Sequence, residues 1–221
     1  MFTIKICGIT RPDDARAGAE AGADAIGLNF YRESVRAIDL ELARAIIAEL
    51  PTEIIKVGLF VNAAPSEICR TYDALGLNLI QLHGDEPPEQ LAALDGRPVM
   101  KAFRAAGAEG LRTVASYLET CRTLGCPPQM IILDAPLARG FGGSGNLADW
   151  SLAKEYQESF RTPPLVLAGG LKAENVADAI RATGAGAVDT ASGVESQPGI
   201  KDPAAIKAFV FAARQALVPG H

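Results

Sequence analysis

The stretch LVLAGGLKAENVADAIRATGAGAVDTASGVE, residues Leu165–Glu195, decides the fold. It opens on a short apolar run, Leu165–Ala168, that breaks at the paired glycines Gly169-Gly170. An Ala-rich amphipathic run, Ala173–Ala182, predicts a helix, and a second apolar run, Ala187–Thr190, predicts a strand ending in Ser192-Gly193. Strand, helix and strand in this order form the unit of a parallel sheet, because parallel neighbours need a crossover and a helix supplies it.

The same rhythm extends to both ends of the chain. The spacing predicts further strands at Thr3–Cys7, Ala25–Phe30, Ile54–Val61, Leu77–Leu82, Val99–Phe103 and Met130–Asp134. These are near-continuous apolar runs, as expected of strands covered on both faces. Helices are predicted over Asp39–Leu50, Pro65–Leu75, Ala148–Tyr156 and Pro203–Leu217, with Leu40, Ala43, Ile46 and Ile47 giving the first of these an apolar stripe. Pro65, Pro87 and Pro203 stand where a helix should begin, a position that tolerates the missing N–H. Eight strands with intervening helices match a (βα)8 TIM barrel of the α/β class. A doubly wound open sheet shares the alternation. No linker interrupts it, so residues 1–221 are read as a single domain.

Composition narrows the partners. The chain has 221 residues, 48% of them hydrophobic, and a net charge of −5. That balance excludes a disordered tail protein and argues against nucleic acid or an anionic membrane as partner. An anionic ligand must then be held by local groups. The N-terminal MFTIKICGIT enters a strand at once and lacks the pattern of a signal peptide. No apolar stretch reaches the roughly 18 residues of a membrane span. Four cysteines (Cys7, Cys69, Cys121, Cys126) without a Cys-x-x-Cys pair, and only His83 and His221, do not make a zinc cage. Free thiols without an export signal predict a cytoplasmic protein.

In either α/β architecture the site lies at the carboxyl ends of the strands. Two loops there form a constellation: Gly169-Gly170 after the seventh strand and Ser192-Gly193 after the eighth; either alone reads as turn glycines, but as neighbours in a barrel the pair is expected to form a phosphate site. Glycines let backbone N–H groups approach an oxyanion, and a helix opening next adds its dipole. Cys7 ends the first strand, where a thiol beside Gly8 and a helix start would have a lowered pKa and serve as base or nucleophile. Alternatively it is an inert buried thiol. Asp134 follows the apolar run MIIL, where an ionised carboxylate is costly unless it meets a polar mouth; alternatively it is a helix cap or a structural hydrogen-bond acceptor. Asp189 ends the eighth strand and would touch a ligand or merely hold its loop. Arg36 suits a substrate carboxylate through a bidentate fork, or is a surface cation beside the following helix. His83 is expected to fix its own loop with Asp85 rather than do chemistry. Cys69, Cys121 and Cys126 are read as structural and Trp150 as packing. The glycine-rich Gly140–Gly145 (GFGGSG) follows the sixth strand.

The ordered set KICGIT, GLNFYRESVRAI, VGLFVN, QLHGDE, KAFR, IILDA with GFGGSG and DW, LAGGL with NV, and VDTASGVESQPGIKD resembles phosphoribosylanthranilate isomerase from Lys5 to Asp202. The resemblance implies a (βα)8 barrel with neither metal nor organic cofactor. It implies an Amadori rearrangement of a small phosphosugar, N-(5-phosphoribosyl)anthranilate, in tryptophan biosynthesis. By similarity Asp134 is the general acid at the furanose oxygen and Cys7 the general base at C2′. Arg36 would hold the anthranilate moiety, Asp189 the sugar hydroxyls or amine, and Gly169, Gly170, Ser192 and Gly193 the phosphate. The chain would act as a monomer or homodimer. It departs from the family pattern at Val35, where a proline is common, at Asn29, where a larger apolar residue is usual, and at Ala191, where a serine is frequent. These positions bear on the anthranilate pocket. Competing readings are an indoleglycerol-phosphate synthase, for which Lys101 after the fifth strand is the tempting match, a metal-dependent phosphosugar epimerase, and a barrel that binds a phosphate ligand without turnover.

Overall fold

The computed structural model describes residues 1–105, 107–134, 150–160 and 162–217. Eight parallel strands, in chain order round the ring, close into a barrel: β1 (Ile4–Cys7), β2 (Ala25–Asn29), β3 (Ile55–Phe60), β4 (Leu79–Leu82), β5 (Val99–Arg104), β6 (Met130–Asp134), β7 (Leu165–Leu167) and β8 (Ala187–Thr190). Closure is made by β1 pairing β8, with Lys5 opposite Asp189. The open doubly wound sheet is thereby excluded. Around the barrel lie α1 (Pro12–Glu20), α2 (Leu40–Ala48), α3 (Pro65–Leu75), α4 (Pro88–Ala92), α5 (Gly107–Thr123), α6 (Trp150–Ser159), α7 (Val176–Thr183) and α8 (Pro203–Leu217). A short antiparallel hairpin not expected from the sequence, β9 (Glu195–Gln197) with β10 (Ile200–Lys201), stands between β8 and α8. No helix is long and apolar enough to cross a membrane among the described residues.

Local chemistry sets the helix ends. Pro65 opens α3 at the first turn, and the Asp39 side chain caps α2 by accepting from the Leu42 N–H at 2.8 Å. Pro87 precedes α4 as its cap and Pro88 takes the first helical position. The predicted start of α6 at Ala148 lies outside the described residues, as do Gly140–Gly145 and His221.

Two apolar layers hold the barrel. Ile4 and Ile6 of β1 belong to the layer between strands and helices, with the fully buried Tyr156 and Phe209. The other layer fills the interior with Val57, Met100, Ile132, Val166 and Ala187 among others. Successive strand residues face opposite ways. Two residues beyond an interior apolar residue, the same inward face therefore turns polar: Asp134 follows Ile132, and Asp189 follows Ala187. Sequence alternation thus places the chemistry at the carboxyl mouth, above an apolar floor.

Candidate active site

A cleft of about 800 Å³, counting the space open at its mouth, lies at the carboxyl ends of the strands. Its wall contains Cys7, Arg36, Asp134, Gly169, Gly170, Asp189 and Ser192, the predicted set apart from Gly193. Gly193 acts one layer back. A Cβ there would lie 1.9 Å from the Leu171 carbonyl oxygen, so glycine alone lets the loop after β8 press against the loop after β7. The Thr190 hydroxyl closes the same contact by donating to Leu171 O at 2.7 Å.

The glycine pair after β7 is a conformational requirement. Gly169 and Gly170 both have positive φ, 87° and 65°, which L side chains rarely adopt. Their backbone N–H groups have no acceptor among the described residues. The helix expected to open at Ala173 begins instead at Val176. Asn175 explains the delay: its side chain accepts from the Lys172 N–H at 2.8 Å and donates to Gly170 O at 3.0 Å, bridging the turn before the helix. The open donors of this rim therefore lie in the loop N–H groups rather than at a helix start.

Cys7 is 6% exposed and free. The expected lowering of its pKa is not what the barrel produces: burial pushes the thiol up, and the Lys5 ammonium below it is the strongest opposing influence. The nearest helix, α1, starts only at Pro12, too far along the chain for its dipole to help. Lys5 is wholly buried, with Nζ 2.8 Å from Asp189 Oδ1. Burial alone would lower its pKa, but Asp189, and then Cys7, more than offset that and hold it as an ammonium. Burial also pushes the Asp189 carboxyl up, with Lys5 opposing.

His83 departs from expectation. It does not brace its loop through Asp85, whose side chain is 80% exposed and pairs loosely with Arg104 at 3.5 Å. Instead its ring points into the cleft, with Nδ1 3.0 Å from Gln81 Nε2 and Nε2 3.2 Å from Asp134 Oδ2. Gln81 Oε1 is buried and has no partner among the described residues. The loop is fixed by Glu86, buried, whose carboxylate accepts from the N–H groups of Asn62 and Gly84 and pairs with Lys101 Nζ at 2.9 Å. Lys101 therefore lies within β5, not after it. Its Nζ sits 5.6 and 5.9 Å from the ring centres of Phe103 and Tyr117, and it does not line the cleft. This removes the residue that made a lysine-dependent synthase tempting.

Arg36 is not the surface cation of the alternative reading. Its Nε and Nη2 donate to Glu195 Oε1 and Oε2 at 2.6 and 2.7 Å, a bidentate pair. Lys201 Nζ joins at 2.9 Å from Glu195 Oε1. Burial would raise the Glu195 pKa, but Arg36 and Lys201 hold it below the usual carboxylate range. The β9–β10 hairpin thus holds Arg36 at the mouth and leaves its other terminal nitrogen, Nη1, outside the pair. Asn29 braces the same loop: it accepts from the Tyr31 N–H at 2.9 Å and donates to Ser34 Oγ at 3.0 Å, while Ser34 Oγ accepts from the Arg36 N–H at 3.1 Å. The departure at Asn29 is therefore a hydrogen-bonded support. Val35, where a proline was expected, is 69% exposed on this loop.

Sequence reading missed Lys5, Gln81, Glu86, Glu195 and Lys201. Alternation could have found two of them, since Lys5 and Gln81 lie two residues before Cys7 and His83 on the same strand faces. Cys69 and Cys121 lie on helices as expected. Burial pushes the Cys121 thiol up to about 12. Trp150 packs against the outer apolar layer. Among the described residues no group of three or more His, Cys, Asp or Glu is placed to hold a metal ion.

The family model described as N-(5′-phosphoribosyl)anthranilate (PRA) isomerase matches residues 4–212. The N-(5′-phosphoribosyl)anthranilate isomerase of Myxococcus xanthus (strain DK1622) is 47% identical over 211 residues, covering 96% of this chain and 95% of its own length. The solved phosphoribosyl anthranilate isomerase of Thermotoga maritima superimposes with a TM-score of 0.85 at 42% identity, over 97% of this chain and 100% of its own. A further isomerase structure, solved in complex with reduced 1-(o-carboxyphenylamino)-1-deoxyribulose 5-phosphate, gives 0.83 at 39% identity over 97% and 100%. With both chains covered nearly end to end, this chain belongs to the N-(5′-phosphoribosyl)anthranilate isomerase family.

Proposed function

We propose that the cleft isomerises N-(5-phosphoribosyl)anthranilate to the corresponding 1-(2-carboxyphenylamino)-1-deoxyribulose 5-phosphate by acid–base chemistry shared between Asp134 and Cys7. The observation that carries this reading is the order of strands. The acid ends β6, the base ends β1, and the two strands between them, β7 and β8, carry the glycine loops. A phosphate held by the N–H groups of Gly169 and Gly170 with Ser192, in a loop packed through Gly193, puts its sugar between acid and base.

In this scheme Asp134 gives a proton to the furanose ring oxygen, the C1′–O bond opens, and the anthranilate nitrogen becomes the cation of a Schiff base. Cys7 as thiolate then takes the C2′ proton. The electron pair released neutralises the nitrogen, and the enolamine tautomerises to the ketone. His83, 3.2 Å from Asp134, orients the acid. Asp189, with one oxygen on Lys5, meets the sugar hydroxyls or the amine. Arg36 offers Nη1 to the anthranilate carboxylate. An anchored phosphate makes both proton transfers intramolecular in effect, which supplies much of the acceleration.

The test is turnover of N-(5-phosphoribosyl)anthranilate by purified protein and by Cys7→Ala and Asp134→Asn. Each variant should lose about 10²–10⁴-fold in kcat, the range for loss of a general acid or base. Near-wild-type kcat in both would end this assignment.

A further inference from the structure

We infer that Lys5 is a positioning residue for the reaction, the buried counter-charge on which the Cys7 thiolate depends. This rests on reading Cys7 as the base.

The geometry begins with the register. Lys5 and Cys7 lie on the same face of β1, and their cross-strand partners are Ala25 and Gly27 of β2. The absent side chain of Gly27 makes room for both. A Cβ there would lie 2.7 Å from Cys7 Sγ and 3.1 Å from Lys5 Cε. The two side chains therefore share one small recess in the barrel wall. On the other side, Lys5 faces Asp189 of β8 and donates to its Oδ1 at 2.8 Å, with the Cys7 sulfur as its other side-chain hydrogen-bond partner. An ammonium carries three N–H donors, so it serves the carboxylate and the sulfur together.

The charges facing Cys7 from every side make the case quantitative in sign. Lys5 and Asp189 come from β1 and β8, Arg36 from the loop after β2, and Lys201 from the hairpin, where Glu195 backs the last two cations. Three cations meet two carboxylates, which leaves one positive charge for a thiolate to balance. Asp134 and His83 face Asp189 from across the cleft. Of the three cations, Arg36 is bound through two nitrogens to Glu195, and Lys201 is held between Glu195 and the Ala191 carbonyl, each at 2.9 Å. Lys5 alone of the three adds a side-chain hydrogen bond to the Cys7 sulfur to its charge, whereas Arg36 and Lys201 act on the thiol through charge only. A fully buried ammonium is costly in an apolar wall and is retained where it is paired. Here the pairing also sets the anion that abstracts the proton.

The experiment follows the Cys7 thiol directly. The rate of iodoacetamide alkylation is measured against pH at the peptide that carries Cys7, by mass spectrometry, in the wild type and in Lys5→Met. Alongside, kcat/KM is measured against pH. Loss of Lys5 should move the alkylation midpoint upward by about one pH unit or more, as expected when an opposite charge within a few ångströms is removed. The acidic limb of kcat/KM should move upward with it, so that activity lost at neutral pH returns in alkali. A purely structural role would lower activity equally at all pH values and leave the alkylation midpoint in place; that result overturns the inference. If Lys5→Met leaves Asp189 unpaired and fails to fold, Lys5→Met/Asp189→Asn removes both charges, and the alkylation midpoint is read in that chain. Because Asp189 acts on the thiol in the opposite sense, the reference there is Asp189→Asn: a midpoint higher in the double variant than in Asp189→Asn supports the inference, and equal midpoints overturn it. Cys7→Ala separates the two readings. An inactive Cys7→Ala with an unshifted Lys5→Met defeats the role of Lys5 and leaves the base in place. An active Cys7→Ala defeats the base itself, and the positioning role with it.

Discussion

Two buried or half-buried aspartates stand at opposite ends of the barrel and behave in opposite ways. Asp24 lies at the amino end, just before β2. Its Oδ2 accepts from the Thr3 N–H at 2.9 Å, the Thr3 hydroxyl at 2.5 Å and the Ile4 N–H at 2.8 Å, and its Oδ1 pairs with Arg214 of α8. Burial alone would raise its pKa, but the Thr3 hydroxyl, the Ile4 amide and Arg214 hold it below the usual range. Asp189, at the carboxyl end, has one strong partner, Lys5, and its carboxyl is pushed up by burial. The first carboxylate ties β1, β2 and the last helix together. The second leaves an oxygen facing the cleft. A satisfied polar group stabilises the fold, whereas an incompletely satisfied one is available to a ligand.

Exchanging the damage between the two ends tests this division. At the mouth, Asp134→Asn should cost about 10²–10⁴-fold in kcat while shifting Tm by no more than about 2 °C. At the floor, Asp24→Ala removes the acceptor for two backbone amides and should cost about 2–3 kcal/mol of unfolding free energy with kcat unchanged. Denaturant titration beside steady-state kinetics reads both, and a large kcat loss in Asp24→Ala would erase the contrast.

Gly193→Ala falls between the two ends in kind. The added methyl would meet the Leu171 carbonyl at 1.9 Å, backbone that has little room to yield. We expect a loss of about 1–3 kcal/mol in stability. Because the two glycine loops proposed to hold the phosphate are forced apart, KM should rise about tenfold, more than kcat falls. An unchanged KM would mean that the contact between the loops does not shape the anchor.

The smallest effect is in acid. The folded pKa of Asp24 is depressed below its ordinary 3.8, so its contribution is present above that value and is lost as pH falls through the folded one. The stability difference between wild type and Asp24→Ala should therefore narrow as pH falls below about 4. A gap that stays constant in acid would show that the carboxylate charge is not what ties the floor.

Much of this was legible in the chain. Alternation of apolar and amphipathic runs located all eight strands, with β6 and β8 matching end to end, and α3 and α8 likewise, since short apolar runs bounded by Gly, Pro and Asp have few other solutions. The strand-end rule placed Cys7, Asp134 and the glycine loops on one cleft. What sequence spacing could not show were contacts between residues far apart in the chain. Arg36 meets Glu195 across 159 positions and Lys5 meets Asp189 across 184. His83 was assigned to Asp85 because Asp85 is close in sequence, yet Asp134, on another strand, is the carboxylate it touches.

The amino-acid sequence by itself determined the periodicity, and with it the eight parallel strands, the apolar floor and the row of polar residues at the strand ends, because side-chain direction along a strand is fixed by local backbone geometry; closure into a barrel was decided by β1 meeting β8. Only the tertiary structure decided the partners of those residues and the direction of their pKa shifts. Closing β1 onto β8 buries Lys5 against Asp189 and Cys7 in a single recess, and desolvation and charge depend on what surrounds a group in space rather than on what precedes it in the chain.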